Sequence, residues 1–330
     1  MSSSSIRPCP ACQSPHSHFK YLLRDHLFRT AKGEFSYQQC QDCKSLFIDP
    51  LPTDAEIQSY YHDEYWWSKE GASVSWVKRL ERRYREWIIM DHLRFLPPRI
   101  PSNKKGALKL LDVGCGSGAL LMTASRRGYM VTGVDFSIRA VENLRGLGVP
   151  CHLATPKEID VGEKQFDIVS LFHVLEHLAE PNRDLRSILR LGCPQATFII
   201  QVPLLDSIQA RLFGARWYGL DPPRHLIQFT FRGLCALLQN VGLQIEKSWY
   251  FSLRDNPAAI ASSLFPFLDP MSRRVINAKG ECKRGSVLDG MLSFFYFFLV
   301  LLSTPFALME AGLKKGGTII LRARIINPGG

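Results

Sequence analysis

The sequence is short of acidic residues. Its 330 positions hold 30 Asp and Glu against 41 Lys and Arg, a formal charge of +11 at pH 7. That imbalance permits contact with nucleic acid, an anionic substrate or a membrane surface without choosing among them. No run of basic residues interleaved with aromatics supports nucleic-acid binding by residues 1–52, and nucleic acid is not expected as a partner. The start, MSSSSIRPCP, lacks the apolar segment of a secretory signal, and the expectation is a cytoplasmic protein. No repeat at a fixed period occurs, which excludes solenoid architectures. A disulfide framework is missing too: Cys115, Cys151, Cys193, Cys235 and Cys282 are scattered singly, as reduced thiols are. With 46% hydrophobic residues the chain can build a large core.

The other four cysteines come in pairs, Cys9 and Cys12 in CPAC, Cys40 and Cys43 in CQDC. Four thiolates at two C-x-x-C knuckles close a tetrahedral zinc site, and with no open position the metal is structural. Residues 1–52 are therefore expected to form a zinc ribbon, too small to fold without its ion. Residues 53–105 read as a helical linker region. In SWVKRLERRYREWIIMDHLRFL apolar residues recur at helical spacing, up to Pro97-Pro98.

From residue 106 to 330 strand and helix patterns alternate. Strands are expected at 108–113, 130–135, 149–153, 166–172, 196–202, 244–251 and 318–325, and helices near 118–127, 137–146, 182–191 and 232–241. Such alternation gives an α/β fold, a doubly wound, mostly parallel sheet with helices on both faces.

LLDVGCGSG ends the first of these strands and opens a helix, with Gly114, Gly116 and Gly118 in the turn. Its G-x-G-x-G spacing departs from the G-x-G-x-x-G of dinucleotide binders. Asp135, in VTGVDFS, ends the next strand, where a carboxylate can hold ribose hydroxyls. Together they indicate an adenosine-containing ligand. Asp112 discriminates further: a carboxylate beside the turn disfavours a pyrophosphate and favours the cationic end of S-adenosylmethionine. Alternatively, Asp112 hydrogen-bonds the loop's own amides.

LLDVGCGSG, GVDFS and FDIVSLFHVLEHLAEPNRDLRSILR resemble the class I S-adenosylmethionine-dependent methyltransferases. The subgroup resembled carries Leu-Glu-His after the fourth strand and includes ubiquinone-type O-methyltransferases and many polysaccharide-cluster enzymes. The likeness covers about 107–255 and 316–326. It implies a Rossmann-like, seven-stranded sheet with an antiparallel last strand, and methyl transfer by in-line displacement. It also implies that Asp112, Gly114, Gly116 and Gly118 line the methionine end, that Asp135 holds the ribose and that Phe136 flanks the adenine. The acid usual after the third strand is missing, leaving Thr155, Glu158 or a backbone amide for the adenine amine, and Gln195 stands where a glycine is usual. The subgroup often carries an N-terminal zinc ribbon.

His173-Val-Leu-Glu176-His177 also matches H-x-x-E-H, an inverted zinc-protease signature, but it starts directly off a buried strand instead of lying within a helix. His173 is a candidate general base. Glu176 and His177 either hold a divalent metal that orients the acceptor or bond locally at a helix start. In RWYGLDPPRHLIQF, which also holds Trp217, Asp221 and Arg224, His225 is a second candidate base or acceptor binder, or else caps the helix near Phe231.

Met291 to Leu308 is an 18-residue stretch without charge, interrupted by Pro305. The insert, about 286–312, is expected to form a helical hairpin on or dipping into the inner leaflet. Arg273, Arg274, Lys279, Lys283 and Arg284 precede it, and Lys314 and Lys315 follow. The alternative is a buried helix capping the cleft. The expected acceptor is a small, lipid-linked or isoprenoid molecule methylated on oxygen or a sugar carbon. The competing readings are an NAD-dependent sugar-nucleotide oxidoreductase and a non-catalytic, membrane-attached binding module.

Overall fold

A computed structural model describes residues 6–61, 83, 87–97, 106–278 and 286–326. Its larger sheet has seven strands: β4 (Lys109–Val113), β5 (Met130–Asp135), β6 (Cys151–Leu153), β7 (Phe166–Phe172), β8 (Gly192–Pro203), β10 (Leu243–Trp249) and β11 (Thr318–Ile325). Their order is β10-β11-β8-β7-β4-β5-β6. Only β11 runs against its neighbours. All seven strands lie where the apolar pattern set them, with β8 extended at its start.

The sheet is apolar on both faces, as a parallel sheet covered by helices must be. Leu110, Ile168, Ile199 and Ile320 face α2 (Ala119–Arg126) and α3 (Ile138–Gly146) through Leu121, Val141 and Leu144. Their chain neighbours Leu111, Val169, Ile200 and Leu321 face the opposite way. There they join Leu185, Ile188, Leu234 and Leu237 of α4 (Pro181–Leu189) and α6 (Phe231–Asn240). The chain leaves β4 for β5 on one side while β7 lies on the other. This switch opens a crevice at the carboxyl ends of β4, β5 and β7.

The second sheet is antiparallel: β1 (Ser17–Leu23), β2 (Phe35–Cys40), β3 (Leu46–Ile48) and β9 (Ile227–Gln228). Its fourth strand comes from the segment that carries His225, so the cysteine-bearing ribbon is continued by the larger domain. One apolar cluster runs from Tyr37, Phe47 and Ile48 into Leu175, Leu226 and Phe229. Arg224 locks the join. It is fully buried, forks onto Asp25 with two 2.9 Å bonds, bonds Asp221 and lies 4.5 Å from the Phe28 ring centroid.

Within the linker region, α1 (Asp54–Ser59) starts on a Thr53–Glu56 capping box, and residues 87–93 are helical. The remainder of the expected linker helix falls on 62–82, 84–86 and 98–105, outside the described residues. The apolar insert is not a hairpin. It forms one continuous helix, α9 (Ser286–Gly312), with Pro305 inside it. One face, with Tyr296 and Val300, packs on Ala261 of α7 (Asn256–Leu264) and on Leu268. The other exposes Val287, Met291, Phe294, Phe298, Leu301 and Leu308, so the helix is not a buried cap either. By length and composition alone it suffices to cross a membrane.

Candidate active site

The glycine turn leaves β4 with Gly114, Gly116 and Gly118 all at positive φ. Side chains are excluded as well. A Cβ on Gly114 would stand 2.8 Å from Val174 Cγ2, and one on Gly118 would stand 1.9 Å from Leu144 Cδ2. Asp135, at the end of β5, closes the turn from beside: its Oδ2 accepts from the Gly116 amide at 2.8 Å and its Oδ1 from the Ser137 amide at 2.8 Å. The loop-bonding role considered for Asp112 thus belongs to Asp135. Asp112 accepts instead from the Ser170 hydroxyl of β7, at 2.7 Å. Burial pushes the Asp112 carboxyl up to about 7, the Ser170 bond opposes this, and neighbouring Asp135 adds to it. A buried carboxyl so poised gains from an incoming cation. Phe136, half exposed, stands at the outer side of the turn.

Across the crevice, His173 follows β7 with a left-handed backbone, φ 57°, a strained conformation for a non-glycine residue. Its Nδ1 lies 3.2 Å from Glu176 Oε1 and its Nε2 3.2 Å from Asp255 Oδ2. Burial would lower its pKa, but Asp255 and Glu176 outweigh burial and raise it to about 9. Both ring nitrogens of His173 thus face carboxylates, and Gln201 Nε2 also lies 3.0 Å from His173 Nε2. Ser252 Oγ donates to Asp255 at 2.6 Å, and Gln201 bonds the same carboxylate.

Glu176 and His177 lie on the 3-10 turn Leu175–His177. Glu176 is 1% exposed, and its Oε2 has no hydrogen-bond partner. His177 Nδ1 is 2.9 Å from both the Arg224 carbonyl and the Tyr61 hydroxyl oxygen. A carbonyl only accepts, so Nδ1 carries the hydrogen and Nε2 the lone pair. Burial, with His225 beside it, lowers His177 to about 4. His225 Nδ1 likewise faces the Gly219 carbonyl at 2.8 Å, leaving its Nε2 as acceptor. The two imidazole centroids are 4.7 Å apart. Neither histidine serves the local role open to it in the sequence: His177 bonds across the chain, and the cap of α6 is Thr230, whose hydroxyl accepts from the Gly233 amide at 3.0 Å. Glu176, His177 and His225 each aim one ligand atom into a space where all three lie within 4.8 Å of one another, a set able to hold a divalent cation.

The ribbon cysteines also converge. Cys9 Sγ is 3.6 Å from Cys43 Sγ and Cys12 Sγ 3.5 Å from Cys40 Sγ. Bonds of ~2.3 Å to a tetrahedral zinc set sulfurs roughly 3.8 Å apart, so the four thiols fit the ion that their spacing implies.

Sequence reasoning missed Asp255, Ser170 and Gln201. Only Asp255 carried a local signal: Asp-Asn-Pro after a strand is a turn into a helix.

Residues 79–248 match the family described as Methyltransferase domain. The ubiquinone biosynthesis O-methyltransferase of Caulobacter sp. (strain K31) is 34% identical over 100 residues, covering 28% of this chain and 40% of that protein. The enzyme of the same name from Alkalilimnicola ehrlichii is 37% identical over 93 residues, covering 26% and 38%. The chain thus spans about two fifths of the length of these curated relatives. An S-adenosylmethionine-dependent methyltransferase structure from Mesorhizobium loti aligns over 73% of this chain and 99% of its own, at 15% identity and a TM-score of 0.44.

Proposed function

The chain belongs to the methyltransferase-domain family, and from that premise we propose that it moves a methyl group from S-adenosylmethionine to an oxygen, or a sugar carbon, of a small lipid-linked or isoprenoid acceptor at the cytoplasmic face of a membrane. The observation that carries the donor assignment is Asp112: a buried carboxyl, raised to about 7, beside a turn that a diphosphate would otherwise occupy. The cation of the donor supplies an electrophilic methyl. Around it, Gly114, Gly116 and Gly118 let backbone approach, Asp112 faces the positive methionine end, Asp135 takes ribose hydroxyls and Phe136 covers the adenine. On the acceptor side His225 holds an Nε2 lone pair that receives the acceptor's proton. His173, as a fixed imidazolium, keeps Glu176 and Asp255 in place. Most of the rate comes from aligning acceptor and methyl in a dry crevice.

A second reading makes Glu176, His177 and His225 the ligands of a divalent cation that orients the acceptor oxygen. The unpartnered, buried Glu176 Oε2 favours it. Calorimetric titration with manganese separates the two: saturable binding that His225→Gln abolishes supports the cation, and its absence supports the free base.

The membrane assignment is supported by the bare apolar side of α9 and by Lys314 and Lys315 at its end. The test is incubation with methyl-labelled S-adenosylmethionine and a bacterial lipid extract. Label in the lipid phase, lost with His225→Ala, is expected. Label confined to water-soluble acceptors overturns the lipid part, and oxidation of NADH in place of transfer overturns the whole.

A further inference from the structure

We infer that Tyr61 is a donor-binding and positioning residue, carried to the crevice by the ribbon side of the chain. The inference rests on the methyl-donor reading above. Tyr61 sits just beyond α1, and its amide still bonds back to the Gln58 carbonyl at 3.2 Å. Its neighbour Tyr60 is 7% exposed and meets the ring of Phe35, in ribbon strand β2, edge-on at 5.9 Å. On the other side α1 is tied to the loop after β6 by the 2.7 Å pair Asp54–Lys157. So anchored, Tyr61 reaches across the opening. Its ring meets Phe136, the residue after the ribose-side Asp135, at 5.4 Å and 68°. Its hydroxyl oxygen is 2.9 Å from His177 Nδ1. One side chain therefore joins the adenosine end to the acceptor end.

The chemistry gives its two ends separate tasks. The ring adds a second aromatic wall beside Phe136 for the adenosine of the donor, worth about tenfold in affinity. The hydroxyl oxygen shares the Nδ1 hydrogen of His177 with the Arg224 carbonyl, which fixes the tautomer and keeps Nε2 toward the acceptor space.

Calorimetry with S-adenosylmethionine and nitrogen-15 spectra of the histidine rings test this on the full chain. Tyr61→Ala is expected to weaken donor binding about tenfold. Tyr61→Phe should keep affinity within about twofold while moving the His177 Nδ1 resonance. Melting temperature and zinc content should match wild type in both, since Tyr61 is half-buried at a helix end. Donor affinity of Tyr61→Ala within twofold of wild type overturns the inference. So does Tyr61→Phe binding as weakly as Tyr61→Ala, or an unmoved His177 signal. If the wild-type chain itself binds no S-adenosylmethionine, the methyl-donor reading fails instead.

Discussion

The two sides of the crevice are built in opposite ways. The proposed donor side is local: Asp112, the three glycines and Asp135 lie within 24 residues of one another in sequence, at the ends of two adjacent parallel strands. Backbone amides and buried carboxylates do the work there. The acceptor side is assembled from distant stretches: Tyr61, the turn His173–His177, the segment Asp221–His225, and Asp255. It leans on the antiparallel ribbon sheet, because Ile48 donates to the Leu226 carbonyl at 2.9 Å and Leu226 to the Glu176 carbonyl at 2.8 Å. Tyr37 adds a 2.9 Å bond from its hydroxyl to the His225 carbonyl. On the proposed function, the donor site is thus a property of the sheet, and the acceptor site a property of the contact between sheet and ribbon.

The largest break in this contrast should come from Arg224. Arg224→Met leaves Asp25 and Asp221 buried without their cation, and a loss of about 3–5 kcal/mol in denaturant unfolding is expected. An unchanged midpoint would show that the ribbon is held by other means. Next, Asp112→Asn should weaken S-adenosylmethionine binding by tens of fold, since it removes a charge-assisted contact worth about 2 kcal/mol. The same substitution should leave thermal stability level or higher, because the buried carboxylate is itself unfavourable.

The two sides should also separate by pH. Asp112 must be ionised to attract the donor, so affinity rises with pH through about 7 and falls by up to tenfold per unit below it. A flat profile from pH 5.5 to 8.5 would contradict the assignment. His173 has the opposite sign. Its folded-state pKa is raised to about 9, so its contribution to stability is complete below about 6.5 and disappears as pH rises through 9. The stability gap between wild type and His173→Gln should close over that interval; denaturant midpoints measure it. The smallest effect on the fold is expected at α9, where Leu301→Glu should change stability by no more than about 0.5 kcal/mol while reducing sedimentation with anionic vesicles.

The same contrast explains what the sequence revealed. The sheet was legible because strands buried on both faces read as nearly continuous apolar runs, such as Phe198–Val202 of β8. The donor turn was legible because its glycines answer a backbone requirement set within a few residues. The partner of Asp112, Ser170, was not foreseen, being a β7 residue brought alongside only by strand pairing. Nothing near His173 in sequence announces Asp255, 3.2 Å from its Nε2. The Tyr61–His177 and Asp25–Arg224 pairs were invisible for the same reason: each joins residues over 100 positions apart. Pro305 suggested a break in the insert. The helix accommodates it because Leu301, whose carbonyl loses its partner, and Pro305 both lie on the exposed side.

The most direct test titrates S-adenosylmethionine and NAD separately into one preparation and into Asp112→Asn. Saturable binding of the methyl donor alone, weakened by the substitution, is the predicted result. Binding of NAD with none of the methyl donor, tightened when the carboxylate is neutralised, would contradict the account at its foundation.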